Sequence, residues 1–111
     1  MDFITFEAKG RPVTDPVVIE TKSGAKGVKG SIAINKLSRK VGNSFETKPI
    51  FMNYEFWDID FEEALAKLGK GQTVRLTGDL KEDEWESPSG EKRKKIILKI
   101  KTAVRENHAN P

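Results

Sequence analysis

Cysteine is absent from this 111-residue chain and histidine occurs once. Without thiols there is no disulfide framework, no thiolate metal site and no cysteine nucleophile, so the redox compartment is unmarked and the cytosol is the default expectation. His108 stands in the polar end Asn107-His108-Ala109-Asn110-Pro111, away from any acid or nucleophile that would orient it, and reads as a solvated tail residue. Histidine acid–base chemistry and His-ligated zinc need partners this sequence does not supply. An enzyme would have to rest on carboxylates alone, and neither a metal nor a cofactor is expected. Long apolar runs are missing too: none approaches the roughly 18 residues that span a bilayer. Met1-Asp2-Phe3 lacks the basic start and apolar stretch of a secretory signal, so no membrane partner is expected.

What is present suits one small domain. Hydrophobic residues make up 36% of the chain and charged residues 33%, enough apolar content for a core but in too short a chain for two. Residues 1–105 are expected to form that domain, and 106–111 a short polar tail. The net charge of +3 conceals a pattern. Seven basic residues (Lys22, Lys26, Lys29, Lys36, Arg39, Lys40 and Lys48) face one acid, Glu46, between Thr21 and Ile50, and six face one between Glu91 and Lys101. Acidic blocks at Glu55–Glu63 and Asp79–Glu86 separate them. Charge clustered this way can focus a field on one face and suit a polyanion, or can be an ordinary solvated surface.

Alternation is the strongest local signal. In Phe3–Lys9 the residues Ile4, Phe6 and Ala8 share one face, and Thr5, Glu7 and Lys9 the other, as in a half-buried strand. Gly10-Arg11-Pro12 and Asp15-Pro16 interrupt it before Val17–Thr21 resumes. Val28, Ile32 and Ile34 mark the next strand, which is expected to end in a polar loop from roughly Leu37 to Lys48. Ile50–Trp57 follows, and it carries large apolar groups on both faces: Ile50, Met52, Tyr54 and Phe56 on one, Phe51 and Trp57 on the other. Either a second layer covers that outer face or a ligand stacks there.

After Asp58 the period changes. Asp60 to Leu68 predicts a short helix with Asp60 as N-cap, Phe61, Leu65 and Leu68 on one face, and Gly69 or Gly71 as the stop. The Asp58 and Asp60 carboxylates at this helix start are explained by capping and the helix dipole rather than by hydrolytic chemistry. Val74, Leu76 and Leu80 then mark an inward face, with Arg75, Lys81, Asp83 and Trp85 opposite. Ser87-Pro88-Ser89-Gly90 is a hairpin turn, and Ile96, Leu98 and Ile100 close the pattern. Counting the interrupted first strand once, this is an all-β fold of five strands with one helix between the third and fourth, the order of a five-stranded Greek-key barrel of the oligonucleotide-binding (OB) type.

With these elements placed, Gly10-Arg11-Pro12-Val13-Thr14-Asp15-Pro16 resembles the G-R-x-x-x-D-P turn near the start of bacterial-type single-stranded DNA-binding proteins. Phe51 and Trp57 are similar to that family's aromatic pair on the third strand, followed by a helix ending in Lys70-Gly71. Gly78-Asp79-Leu80, Trp85 and Ser89-Gly90-Glu91-Lys92-Arg93 resemble its G-x-L-x-x-x-x-W...S-G-x-x-R hairpin. The resemblance covers residues 3 to about 105 and implies sequence-tolerant binding of single-stranded DNA in replication, recombination or repair. It also implies homo-oligomers, tetramers or dimers, joined through the first strand, with replication proteins as further partners.

Physical chemistry gives the same positions the same role. Aromatic rings on a sheet surface stack bases without reading them, worth roughly 1–3 kcal/mol per base. Phe51, Trp57 and Trp85 are the expected platforms, Arg75, Lys81 and Arg93 the expected phosphate partners beside them, and Arg39, Lys40 and Lys48 a basic clamp. Three features depart from the family's pattern. A tryptophan usual after the second strand is replaced by the Arg39-Lys40 region, the approach to Trp85 is acidic, and the sequence carries no Gly- and Pro-rich linker with an acidic, Phe-ending tip. The first two leave open a protein-interaction OB module of the primosome type with weak nucleic-acid binding, and RNA is a further candidate ligand.

Overall fold

A computed structural model describes residues 1–106, which places His108 and most of the expected tail outside the described residues. The alternating segments become strands β1 (Thr5–Pro12), β2 (Val17–Glu20), β3 (Lys26–Val41), β4 (Ser44–Trp57), β5 (Val74–Glu86) and β6 (Lys92–Arg105), with helix α1 (Phe61–Leu68) between β4 and β5. β1 and β2 lie end to end along one edge of β3, β1 pairing at Arg11 and Pro12 and β2 from Val17 to Glu20. They are two halves of the strand that the Asp15-Pro16 turn interrupts, so the expected five-strand count stands.

Pairing runs from β1 through β5, β6, β4 and β3 back to β1, which closes the sheet into a ring. β4 and β6 pair in parallel at Tyr54–Leu98 and Glu55–Lys99. A parallel pair needs a crossover rather than a tight turn. α1 and β5 supply it.

Inside the ring, Val28, Ile32, Tyr54, Val74, Leu76, Leu98 and Ile100 are buried, with Phe6, Ile34, Met52, Phe56 and Leu80 packed around them. The Asp60 carboxylate accepts from the Glu63 backbone N–H at 2.7 Å, the expected N-cap. α1 turns Ala64 and Leu68 into the core, whereas Phe61 stays exposed. The apolar stripe of this two-turn helix is thus the i, i+4 pair 64/68, and Phe61 sits at the rim. Where the chain leaves the helix, Lys70 N–H donates to the Asp15 carboxylate at 2.9 Å and Gly71 N–H to the Pro12 carbonyl at 3.0 Å, tying it to the β1–β2 turn.

Two antiparallel ribbons extend beyond the ring. One is β3 with β4 from Asn35/Pro49 out to Val41/Ser44, and the other is β5 with β6 from Lys81/Ile97 out to Glu86/Lys92. The first replaces the loop expected from Leu37 to Lys48. Both of its faces are exposed, so it lacks apolar alternation, yet its backbone pairs to the tip, where Gly42 takes φ 60 as the first residue of a two-residue turn. A register shift between Leu37 and Arg39 puts a bulge at Ser38.

Candidate nucleic-acid interface

Side chains alternate along a strand, so with Met52, Tyr54 and Phe56 facing the core, β4 presents Phe51, Asn53, Glu55 and Trp57 outward. Phe51 is 62% exposed: no described residue of this chain forms the covering layer that its face would otherwise need. The Trp57 ring lies across Gly27, where a Cβ would come within 3.0 Å of ring atom Cε3. The Trp57 indole N–H donates to Glu55 Oε1 at 2.9 Å, which fixes the ring's edge. Trp85, 43% exposed, stands on the second ribbon with Lys95 Nζ 5.3 Å from its ring centroid. Arg93 is its direct cross-strand neighbour.

These outward faces bound a groove of about 420 Å³ whose walls include Lys29, Ser31, Asn53, Glu55, Asp83 and Lys95, with Ile97 buried on its floor. Lys81 crosses this surface to Glu55, its Nζ donating to the two carboxylate oxygens at 3.0 and 3.1 Å. Burial alone would raise the Glu55 pKa. The hydrogen bonds from Lys81 and Trp57, with the charges of Lys81 and Lys99, overcome that and hold it below the usual carboxylate value.

The acidic approach to Trp85 divides between two faces. Asp83 shares the Trp85 side and sits opposite Lys95, while Glu82 and Glu84 point away, both engaged by Lys94 at 3.4 and 3.3 Å. The Lys94 pKa is raised by those contacts, Glu84 first. The groove side of the hairpin therefore carries Lys81, Arg93 and Lys95 against Asp83, and is basic rather than acidic.

The expected basic partners separate. β4 is regular along the first ribbon, so Lys48 and Glu46 lie on the face opposite Phe51. Arg39 pairs with Glu46 and bonds its carboxylate at 2.9 Å, on that same back face. Lys40, beyond the bulge, pairs with Phe45 on the Phe51 side. Arg75 stands at the far end of β5 from Trp85, held by Glu106 at 2.9 Å and Glu7 at 3.6 Å. The Glu106 carboxyl is kept below its usual range by hydrogen bonds from Lys9 and Arg75. Arg93 also touches Glu91 at 3.1 Å. Phe51, Trp57, Trp85, Lys81, Arg93 and Lys40 thus share one side of the sheet, and Arg39, Lys48 and Arg75 lie off it. Sequence reading missed Lys29, Lys95 and Phe45 on the near side. The odd-number parity that Phe45 shares with Phe51 and Trp57 was the available signal.

Comparison with known proteins follows the same lines. The chain is 34% identical over 85 residues to a single-stranded DNA-binding protein of Thermotoga maritima, covering 76% of this chain and 60% of that one. It is 30% identical over 98 residues to single-stranded DNA-binding protein 1 of Tropheryma whipplei, covering 86% and 53%. The chain spans little more than half the length of these relatives. Among solved structures, the small single-stranded DNA-binding protein of Streptomyces coelicolor superposes with a TM-score of 0.75 at 19% identity, covering 96% of each chain. The Plasmodium falciparum SSB in complex with ssDNA gives 0.78 at 18%, covering 96% of this chain and 97% of that one. These likenesses carry the fold. The model of the single-strand binding protein family matches residues 5–105, nearly the whole described chain, and the protein belongs to that family.

Proposed function

We propose that this chain binds single-stranded DNA with little regard to sequence, stacking bases on Phe51, Trp57 and Trp85 and pairing phosphates with Lys29, Lys40, Lys81, Arg93 and Lys95. The observation that carries the reading is the outer face of β4, β5 and β6. Exposed Phe51 and Trp85, with Trp57 anchored by its indole N–H, share that face with a groove walled by Lys29 and Lys95 as well as Glu55 and Asp83, and with Lys81 and Arg93 beside it. Stacking there tolerates any base, since every base has a π-face, and phosphate pairing supplies a salt-dependent affinity. Membership of the family and the names of the relatives support the reading. It makes the chain a binding protein with no catalytic step, acting in the cytoplasm in replication, recombination or repair. The acidic hairpin no longer favours a protein-interaction module, because Glu82 and Glu84 turn from the groove and share an ion pair with Lys94 on the opposite face.

Titration with oligothymidylate tests this. Tryptophan emission quenches on binding, and affinity falls steeply with salt. An unquenched signal at low salt refutes the reading. Assembly is part of the proposal: β1 is paired to β5 over Thr5–Gly10 but meets β3 only at Arg11 and Pro12, so most of one edge is open to a second copy. Phe3, 89% exposed just before that strand, adds apolar surface. Light scattering distinguishes a dimer or tetramer from a monomer.

A further inference from the structure

We propose that Phe45, near the tip of the β3–β4 ribbon, is a further base-stacking platform, and that Lys40 is its phosphate partner. The inference rests on the single-stranded DNA reading above and extends the binding path beyond the groove along the ribbon. On β4 the outward positions run 45, 47, 49, 51, 53, 55 and 57, so Phe45, Phe51 and Trp57 stand on one face, six residues apart each time. At about 3.3 Å per residue the three rings are spaced by roughly 20 Å along the strand. Phe45 is 61% exposed, as open as Phe51. An exposed phenylalanine near the tip of a narrow ribbon has no core to join.

The ribbon is built to present this ring. Gly42 makes the tight turn, and the Arg39–Glu46 ion pair at 2.9 Å fastens the two strands on the back face, one residue pair from Phe45. The bulge at Ser38 then shifts parity, so that Lys40 rather than Arg39 emerges beside the ring. Its Nζ lies 5.8 Å from the Phe45 centroid. A cation beside an aromatic face is the pairing that stacking on single strands uses, with the base on the ring and the ammonium on the adjoining phosphate. The intervening Thr47 and Pro49 carry no charge to repel a strand passing from Phe51 to Phe45.

The test is a length series of oligothymidylates titrated against wild type, Phe45→Ala and Lys40→Ala. Phe45→Ala binds the shortest strands as wild type does, and its affinity falls behind by about ten-fold once strands are long enough to reach the tip. Lys40→Ala lowers the salt slope by about 0.7, the share of one phosphate contact on a single strand. Phe45→Trp, with Trp57 and Trp85 changed to Phe so that emission reports the tip alone, restores the long-strand affinity and is quenched by it. Wild-type binding with no loss in Phe45→Ala at any length, or an unquenched Trp at the tip, overturns this proposal and leaves the groove reading intact. Failure of wild type to bind any strand overturns both.

Discussion

Glu55→Gln is expected to tighten DNA binding, although it breaks a polar cluster on the outer face. The carboxylate lies in the wall of the groove with its side chain only 14% exposed, and holds both the Trp57 indole and the Lys81 ammonium. Glutamine keeps a carbonyl acceptor for Trp57 but takes away the charge that pins Lys81, so the net charge of the pair changes from zero to +1. A unit charge about 8 Å from a bound phosphate, at an effective dielectric of about 20, is worth roughly 2 kcal/mol before screening. With a Debye length near 8 Å, about 0.8 kcal/mol survives at physiological salt, close to a four-fold gain in affinity. The freed Lys81 adds one phosphate contact, steepening the salt slope by about 0.7, an extra loss of about 2.5-fold between 50 and 200 mM. Tryptophan-fluorescence titrations across a salt series read both quantities. Weaker binding, or an unchanged slope, would show that Lys81 does not exchange Glu55 for phosphate. Because the Glu55 pKa lies below its ordinary 4.5 in the folded chain, the stability it contributes is present above that value and is lost as pH falls through the folded value. The variant therefore has a shallower acid-denaturation limb.

Trp57→Ala removes one stacking platform and is expected to weaken oligothymidylate binding by about 1–3 kcal/mol with little change in salt slope, checked by polarisation of a labelled strand. Gly27→Ala pushes a methyl against the Trp57 ring and the Phe56 carbonyl at 2.5 Å, so it lowers both thermal stability and affinity, and a variant with unchanged melting temperature would refute this packing. The Tyr54 hydroxyl is buried with no hydrogen-bond partner among the described residues, so Tyr54→Phe gains about 1–2 kcal/mol in urea unfolding. Burial first, and Asp15 second, push the Tyr54 pKa up to about 12 from 10.0, so wild type keeps this stability below pH 10 and loses about 2–3 kcal/mol as pH rises to 12. The phenylalanine variant, lacking the titration, holds its stability further into alkali in a circular-dichroism pH series.

The ring was legible from its apolar alternation, and the helix from Asp60 and the glycines behind it, because these features record which side of each element meets the core. The first ribbon was not. Residues 35–49 are solvated on both faces, so burial writes no period into them, and only Gly42-Asn43 hinted at a hairpin. The aromatic positions on the ring survived this test, since Phe51 and Trp57 take their side from neighbours that are buried. The basic positions fared unevenly because their placement depends on long-range partners. Lys81 reaches Glu55 across the intervening β6, Arg75 is claimed by Glu106 thirty-one residues away, and the bulge at Ser38 turns Arg39 to the back. None of these has a local signature in the chain.

The same bulge makes the first ribbon sensitive to the parity of insertions and deletions. Adding one residue to β3 between the bulge and Arg39 would exchange the displayed cation, sending Arg39 to the aromatic side and Lys40 behind it, and adding one to β4 between Phe45 and Glu46 would turn Phe45 from the path. Removing Ser38, by contrast, only takes out the bulge and leaves both cations on their faces. Changes that lengthen both strands by a matched two residues keep every side chain on its face and only carry the tip farther out. Ribbon length in this protein can therefore drift in even, paired steps, whereas a single codon gained or lost outside the bulge rewrites which residues the strand of DNA would meet.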